Sequence, residues 1–164
     1  MSVLVYIESP KGHIKKTGYE VASYAVQVAK TLGTDAIALF IGAANDAGSA
    51  GKYGVNKVLH ANASENQEFD AQVYSKMIAD IAKENGANII ILANTANGKA
   101  LTGRLAIKME AGSVSGTNSL PDVSNGFVIT KSVYSGKAIV QYNITTQNKV
   151  LSVMGNTLQP QIVA

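Results

Sequence analysis

The chain has 164 residues, enough to bury a core of its own, and a make-up of 46% apolar and 15% charged residues excludes a disordered chain. It has no cysteine, which excludes disulfides, thiolate catalysis and cysteine-ligated zinc or iron–sulfur sites. The formal charge is +3, but lysines carry it and Arg104 is the one arginine, so nucleic-acid readout by guanidinium forks is not expected.

Residues 1–8 carry no basic region or signal core, and no apolar run reaches membrane-spanning length. A soluble cytoplasmic protein is expected. Val3-Leu4-Val5-Tyr6-Ile7 is an unbroken apolar run, the pattern of a strand buried on both faces of a parallel sheet. Ser9-Pro10-Lys11-Gly12-His13 reads as a loop. Thr17-Gly18-Tyr19-Glu20 has capping-box spacing, and Val21, Tyr24, Ala25, Val28, Ala29 and Leu32 then recur at helical spacing up to Gly33.

Residues 36–41 predict a second buried strand. Gly48, Gly51 and Gly54 reduce residues 43–54 to a short, poor helix and a turn. Residues 57–60 predict a third strand. Val73, Met77 and Ile81, with Tyr74 and Ile78 beside them, mark a helix that stops near Asn85-Gly86. Residues 89–93 predict a fourth buried strand, and Leu101, Leu105 and Met109 mark the last helix.

Strand and helix alternate to this point, which argues an α/β fold, a three-layer, mostly parallel sheet. The pattern then changes. Residues 126–134, 137–144 and 150–154, separated by turns at Ser135-Gly136 and Gln147-Asn148, read as antiparallel hairpins. No repeat or linker divides the chain, so a single domain over residues 1–164 is expected. Its apolar end, Gln161-Ile162-Val163-Ala164, reads as a cut.

Four motifs of nucleotide or acyl chemistry are missing. No two glycines stand two apart, so the dinucleotide fingerprint is absent. Gly51-Lys52, Gly98-Lys99 and Gly136-Lys137 are followed by Tyr53, Ala100 and Ala138, none of them the hydroxyl residue that a phosphate loop requires. Gly112 and Gly116 bracket Val114, not the serine of a nucleophile elbow. The ATP loop of universal stress proteins begins at Gly48/Gly51 or Gly51/Gly54, but Ala61 and Ser64 stand where its third glycine belongs.

The loop Asn94-Thr95-Ala96-Asn97-Gly98-Lys99 follows the fourth strand, where such folds place ligands. Gly98 allows close backbone approach and Lys99 sits at a helix start; a plain glycine-bearing turn is the simpler reading. Arg104 and Lys108 lie four apart on one helix face, either to hold a carboxylate or partner backbone or, more simply, as a solvated basic face. His13 and His60 read as exposed histidines rather than proton carriers. The tyrosines occupy core-patterned positions, except Tyr134 beside the hairpin turn, which suits a contact surface. Glu8 and Asp35 have no legible acid–base partner.

The order of elements and several strings together resemble the electron transfer flavoprotein alpha subunit. Asn56-Lys57-Val58-Leu59 is similar to the family's "A-K-V-L" at the third strand. Residues 90–106 resemble its strand, Gly-[Arg/Lys] and helix segment. Phe127-Val128 followed by Tyr134-Ser135-Gly136-Lys137-Ala138 resembles its "F-V-R … Y-A-G-N-A" hairpin, and Val150-Leu151-Ser152-Val153-Met154-Gly155 its closing strand. The chain departs from the pattern at Gly103, Ile129 and Met154, where the family has a proline and two arginines, so no contact is carried over from those positions. Arg104 matches the helix arginine.

The resemblance implies an α/β domain of the adenine nucleotide alpha hydrolase, Rossmann-like type. It implies a heterodimer of alpha and beta subunits with one FAD, which takes electrons from acyl-CoA and other flavin dehydrogenases of fatty acid beta-oxidation to a quinone oxidoreductase. This sequence stops where the first domain of the alpha subunit stops, so FAD is expected in the full-length heterodimer and not in this fragment. The implied role is an electron carrier subunit, not an enzyme, with no catalytic or metal-binding residue, no nucleic acid and no membrane insertion. The chain would be a scaffold on the beta subunit, with Asn94, Gly98, Lys99, Arg104 and Tyr134 at the interface. The alternative is a free-standing AMP- or ATP-binding stress-type domain, against which the missing phosphate loop argues. A hydrolase at the 94–99 loop has neither nucleophile elbow nor acid–base pair.

Overall fold

A computed structural model describes residues 2–62 and 68–163; Ser64 and Ala164, named above, lie outside them. The apolar runs become strands β1 (Ser2–Tyr6), β2 (Asp35–Ile41), β3 (Lys57–Ala61) and β4 (Ala87–Ala93). Helices α1 (Lys16–Leu32), α2 (Ala71–Glu84) and α3 (Ala96–Met109) follow β1, β3 and β4, and a 3-10 helix at Ala47–Tyr53 follows β2. Strand β5 (Gly112–Thr117) comes next, then β6 (Val128–Val133), β7 (Ala138–Asn143) and β8 (Lys149–Val153).

Six strands form one sheet in the order β3-β2-β1-β4-β8-β5, and every neighbouring pair is parallel. Burial on both faces explains the continuous apolar composition. Val3, Val5, Ala38, Phe40, Ile91 and Leu151 face α1, while Leu4, Leu39, Ile90, Leu92 and Val150 face α2 and α3. Leu101, Leu105 and Met109 are buried, as their spacing predicts. In α2 the buried stripe runs through Tyr74, Ile78 and Ala82, and Val73 is exposed.

Among the described residues, α1 shares its side of the sheet with the short 3-10 helix and with no second α-helix. The antiparallel hairpin β6–β7 stands there, with Phe127, Ile129 and Ile144 in the core of the α1 layer. Its turn is a tight one. Lys137 N donates to Tyr134 O at 3.1 Å, and Tyr134, Ser135 and Gly136 are all at positive φ (+53°, +55° and +82°), closing the hairpin beyond the last pair, Val133 with Ala138.

Three expectations are corrected. β8 is not an antiparallel partner of β7; it enters the main sheet between β4 and β5, parallel to both. The intervening loop is tied away from β7: the Thr146 hydroxyl accepts from Gly112 N at 2.8 Å, and Asn148 Nδ2 donates to Met109 O at 2.7 Å. Strand β5 has no predicted counterpart. It is an edge strand whose pairing shifts register between Val114 and Thr117, a device that blunts an exposed edge.

The third correction is at the start of α1. The cap position is Lys15, with no side-chain cap, rather than Thr17. Glu20 is buried; its Oε2 accepts from Asn156 N at 3.2 Å and its Oε1 lies 3.7 Å from Lys16 Nζ, so the carboxylate ties the C-terminal segment to the first turn of α1 without capping a backbone amide there. Gln161 N donates to the buried Ser23 hydroxyl at 2.9 Å, and residues 156–161 thereby lie along α1.

Candidate functional site

Winding reverses at β1. The chain moves by α1 to β2 on one side and returns by α2 from β3 to β4 on the other. Open α/β sheets place ligands at the carboxyl ends of the two strands that flank such a switch. Here a cleft of about 760 Å³ opens at that point, between the loop after β1, the start of α1 and the turn from β4 into α3.

The β4–α3 turn is tied to its surroundings at both ends. Thr95 is the cap of α3, and its hydroxyl accepts from Gly98 N at 3.0 Å while donating to Glu8 Oε2 at 2.8 Å. One hydroxyl thus joins the helix start to the loop after β1. Gly98 is buried, and a Cβ there would overlap the carbonyl oxygen of Ala93. Only glycine lets α3 start so close to β4.

One wall is aromatic. Tyr6 and Tyr74 meet edge to face at 6.5 Å between centroids, and Phe69 lies against Tyr74 at 5.0 Å. Burial drives the Tyr6 phenol far above its ordinary pKa range, with the Glu8 carboxylate and Tyr74 adding to the rise. Burial raises Tyr74 as well. The facing wall holds Lys11, Lys15 and the start of α1. Tyr6 and Glu8 end the first strand and begin its loop, Tyr74 comes from a helix 66 residues further on, and no motif announces them.

The sequence-predicted residues divide into two groups. Asn94 is held at the sheet end: its Oδ1 accepts from the Ser152 hydroxyl at 3.0 Å and its Nδ2 contacts Met154 Sδ at 3.1 Å. Gly98 is buried, and Lys99 is exposed in the first turn of α3. Arg104 is exposed further along the same helix, beside Lys108. Tyr134 is 79% exposed in the hairpin turn. The base of the hairpin lies at the other end of the sheet, where Lys149 Nζ sits 5.3 Å from the Phe127 ring. Lys131 reaches the carboxyl end beside Gly116, close to Asn94 and Met154. Asn94, Lys99 and Tyr134 therefore belong to one end of the molecule, while Arg104 lies along the α3 face.

Among the departures from the family pattern, Ile129 is fully buried, Met154 is half-exposed against Asn94, and Gly103 has open space around it. His13 is exposed, with Nδ1 4.0 Å from Asp46. His60 Nε2 meets Gly42 O. Among the described residues no group of three or more His, Asp or Glu could hold a metal ion, and no helix is long and apolar enough to cross a membrane.

The cofactor implied by the resemblance, FAD, does not fit these residues. Its pyrophosphate needs a glycine-rich turn at which the backbone is bare. The loop after β1 offers only Gly12, at φ +83°, and the Asn45 amide occupies the space where its side chain would be.

Comparison with known proteins agrees with this architecture. The family model described as the electron transfer flavoprotein domain matches residues 3–164, and the chain belongs to that family. It is 27% identical over 107 residues to the electron transfer flavoprotein subunit alpha of Bacillus subtilis (strain 168), covering 65% of this chain and 33% of that one. It is 28% identical over 138 residues to Protein FixB of Clostridium saccharobutylicum, covering 82% of this chain and 41% of that one. It is 25% identical over 142 residues to the electron transfer flavoprotein subunit alpha of Syntrophomonas wolfei, covering 85% and 44%. The chain thus spans between a third and less than half the length of these relatives.

Proposed function

We propose that this chain is the N-terminal domain of an alpha-type electron transfer flavoprotein subunit, a single domain that serves as a docking base rather than as the redox centre. The observation that carries this reading is the family match across residues 3–164, to relatives named as alpha subunits and FixB proteins. In this reading FAD sits in the part of the longer relatives that this chain does not span. Electrons then pass from flavin dehydrogenases, through that part, to an acceptor.

The partner is a beta-type subunit. Support for a docking role comes from the β6–β7 hairpin. A two-stranded sheet is marginal by itself, yet this one exposes Tyr134 and Ile139, the latter at 70%. Aromatic and large aliphatic groups standing in water suit a contact surface. With Asn94, Lys99 and Arg104 they outline the proposed interface, while Gly98 sets the position of α3 beneath it.

Purification from the native source tests the proposal. The expected product has flavin absorption, a co-purifying second subunit and an intact mass above that of 164 residues. A colourless chain of this length without a second subunit overturns it.

A further inference from the structure

Met154 stands apart from the other described methionines. The chain has four. Met77 packs against the core layer of α2 and α3, and Met109 is buried. Met154 is 45% exposed, just past the end of β8. Its main chain is nonetheless tied on both sides. Met154 N donates to Thr117 O at 2.9 Å, and the Thr157 hydroxyl donates to Met154 O at 2.7 Å.

The sulfur has defined neighbours too. Gly116 N donates to the Ser152 hydroxyl at 2.8 Å, and that hydroxyl donates to Asn94 Oδ1 at 3.0 Å. The Asn94 amide is thereby oriented, and its Nδ2 donates to Met154 Sδ at 3.1 Å. A thioether sulfur is a weak acceptor, so this relay of hydrogen bonds ends on a poor partner for an amide. Gly116 leaves room beside it. A Cβ there would stand 3.3 Å from Asn94 Nδ2, 3.4 Å from Met154 Sδ and 3.8 Å from Lys131 Cε. Lys131 forms no ion pair among the described residues. An amide donor and a lysine thus converge beside the sulfur, where an oxygen bonded to it would meet both. Oxidation to the sulfoxide makes such an oxygen, and makes the side chain polar and the sulfur chiral.

We propose that Met154 is a site of reversible oxidation by hydrogen peroxide, with Asn94 and Lys131 holding the sulfoxide oxygen beside Gly116. A sulfur lone pair attacks one peroxide oxygen, the O–O bond breaks and an S–O bond forms. The proton of the attacked oxygen passes to the departing hydroxide, which leaves as water. Sulfur gives up two electrons and the peroxide takes them. Reduction by a methionine sulfoxide reductase restores the thioether. Because the amide contact orients the sulfur, one of the two sulfoxide epimers is favoured. The site does not depend on the docking role.

Timed treatment of the 164-residue chain with dilute hydrogen peroxide, followed by peptide mass spectrometry and chromatographic separation of the epimers, tests the proposal. Met154 is expected to gain one oxygen at least about tenfold faster than Met77 and Met109. One epimer should exceed the other about fivefold, the ratio that one hydrogen bond supplies. Asn94→Asp keeps the side-chain shape and removes the donor; it and Lys131→Leu are each expected to bring the epimers within about twofold of each other. A methionine sulfoxide reductase of the matching epimer class should return the oxidised chain to its original mass. Equal epimers in the native chain describe a thioether that is merely exposed, and they overturn the proposal even where a variant fails to fold. A bias that either variant keeps, oxidation of Met77 or Met109 as fast as Met154, or an oxygen that the reductase does not remove overturns it equally.

Discussion

The Tyr24 hydroxyl donates to the carbonyl of Ser119 at 2.7 Å, across 95 residues of sequence. Tyr24 is fully buried at the middle of α1, and Ser119 begins the passage from β5 to the hairpin. The Thr117 hydroxyl donates to the same carbonyl at 3.1 Å. This point fixes the helix to the strand edge that the hairpin leaves. Tyr24→Phe keeps the ring and loses one hydrogen bond, so unfolding by urea should show a loss of about 1 kcal/mol. No loss would mean that the Thr117 bond alone satisfies Ser119.

Stability should fall at alkaline pH. Burial raises the Tyr6 and Tyr24 phenols above their ordinary pKa. A group whose pKa is raised on folding stabilises fully below its unfolded value, about 10 for tyrosine, and that contribution is lost as pH rises above it. Thermal unfolding followed from about pH 8 to pH 11 should therefore show a steep decline in Tm above about pH 10. In Tyr24→Phe the decline should be shallower. An equal slope in the two proteins would show that Tyr24 ionisation does not drive it.

Two glycines of α3 should respond in opposite directions to alanine. At Gly98 the new methyl meets the Ala93 carbonyl, so Gly98→Ala should cost at least about 2 kcal/mol. At Gly103 nothing lies within 4 Å and the position is exposed. Gly103→Ala should there stabilise by about 0.5–1 kcal/mol through helix propensity. Chemical denaturation of both variants checks the contrast. Equal effects would mean that α3 does not start where its contacts place it.

Arg104→Glu reverses the charge of an exposed side chain with no salt bridge among the described residues. On the docking reading, assembly with the beta-type subunit should weaken about fivefold to tenfold, more at low salt than at high salt. Analytical ultracentrifugation of the reconstituted pair measures it. Unchanged assembly leaves Arg104 a solvated residue of the helix.

Much of the central sheet was legible because interior parallel strands are apolar along their whole length, as Val3 to Ile7 and Ile89 to Ala93 are. Strand β5 was not. As an edge strand it needs little core, and of its residues only Val114 is a buried hydrophobic. Val150, Leu151 and Ser152 carried the mark of an interior strand too, but turn residues before them pointed to a hairpin. Which two strands they separate is decided by loop ties at Thr146 and Asn148, outside any periodic pattern. At the cleft the 94–99 loop was legible as the turn after a parallel strand. Its link to Glu8 was not, because the Thr95 hydroxyl bridges 87 residues of sequence. Tyr6 and Tyr74 read as ordinary core residues, since sequence shows burial by pattern but not which buried rings line a cleft.

The place of β8 between β4 and β5 also governs when the protein can finish folding. A strand drawn from residues 149–153 fills an interior slot, so every residue before it must be present while that slot is still open. Until then β4, buried on both faces in the finished sheet, offers a bare hydrogen-bonding edge to any other chain. Closure rests on contacts between distant parts of the chain, which form slowly. The interval before β8 arrives is the one in which a nascent or truncated chain is most exposed to aggregation.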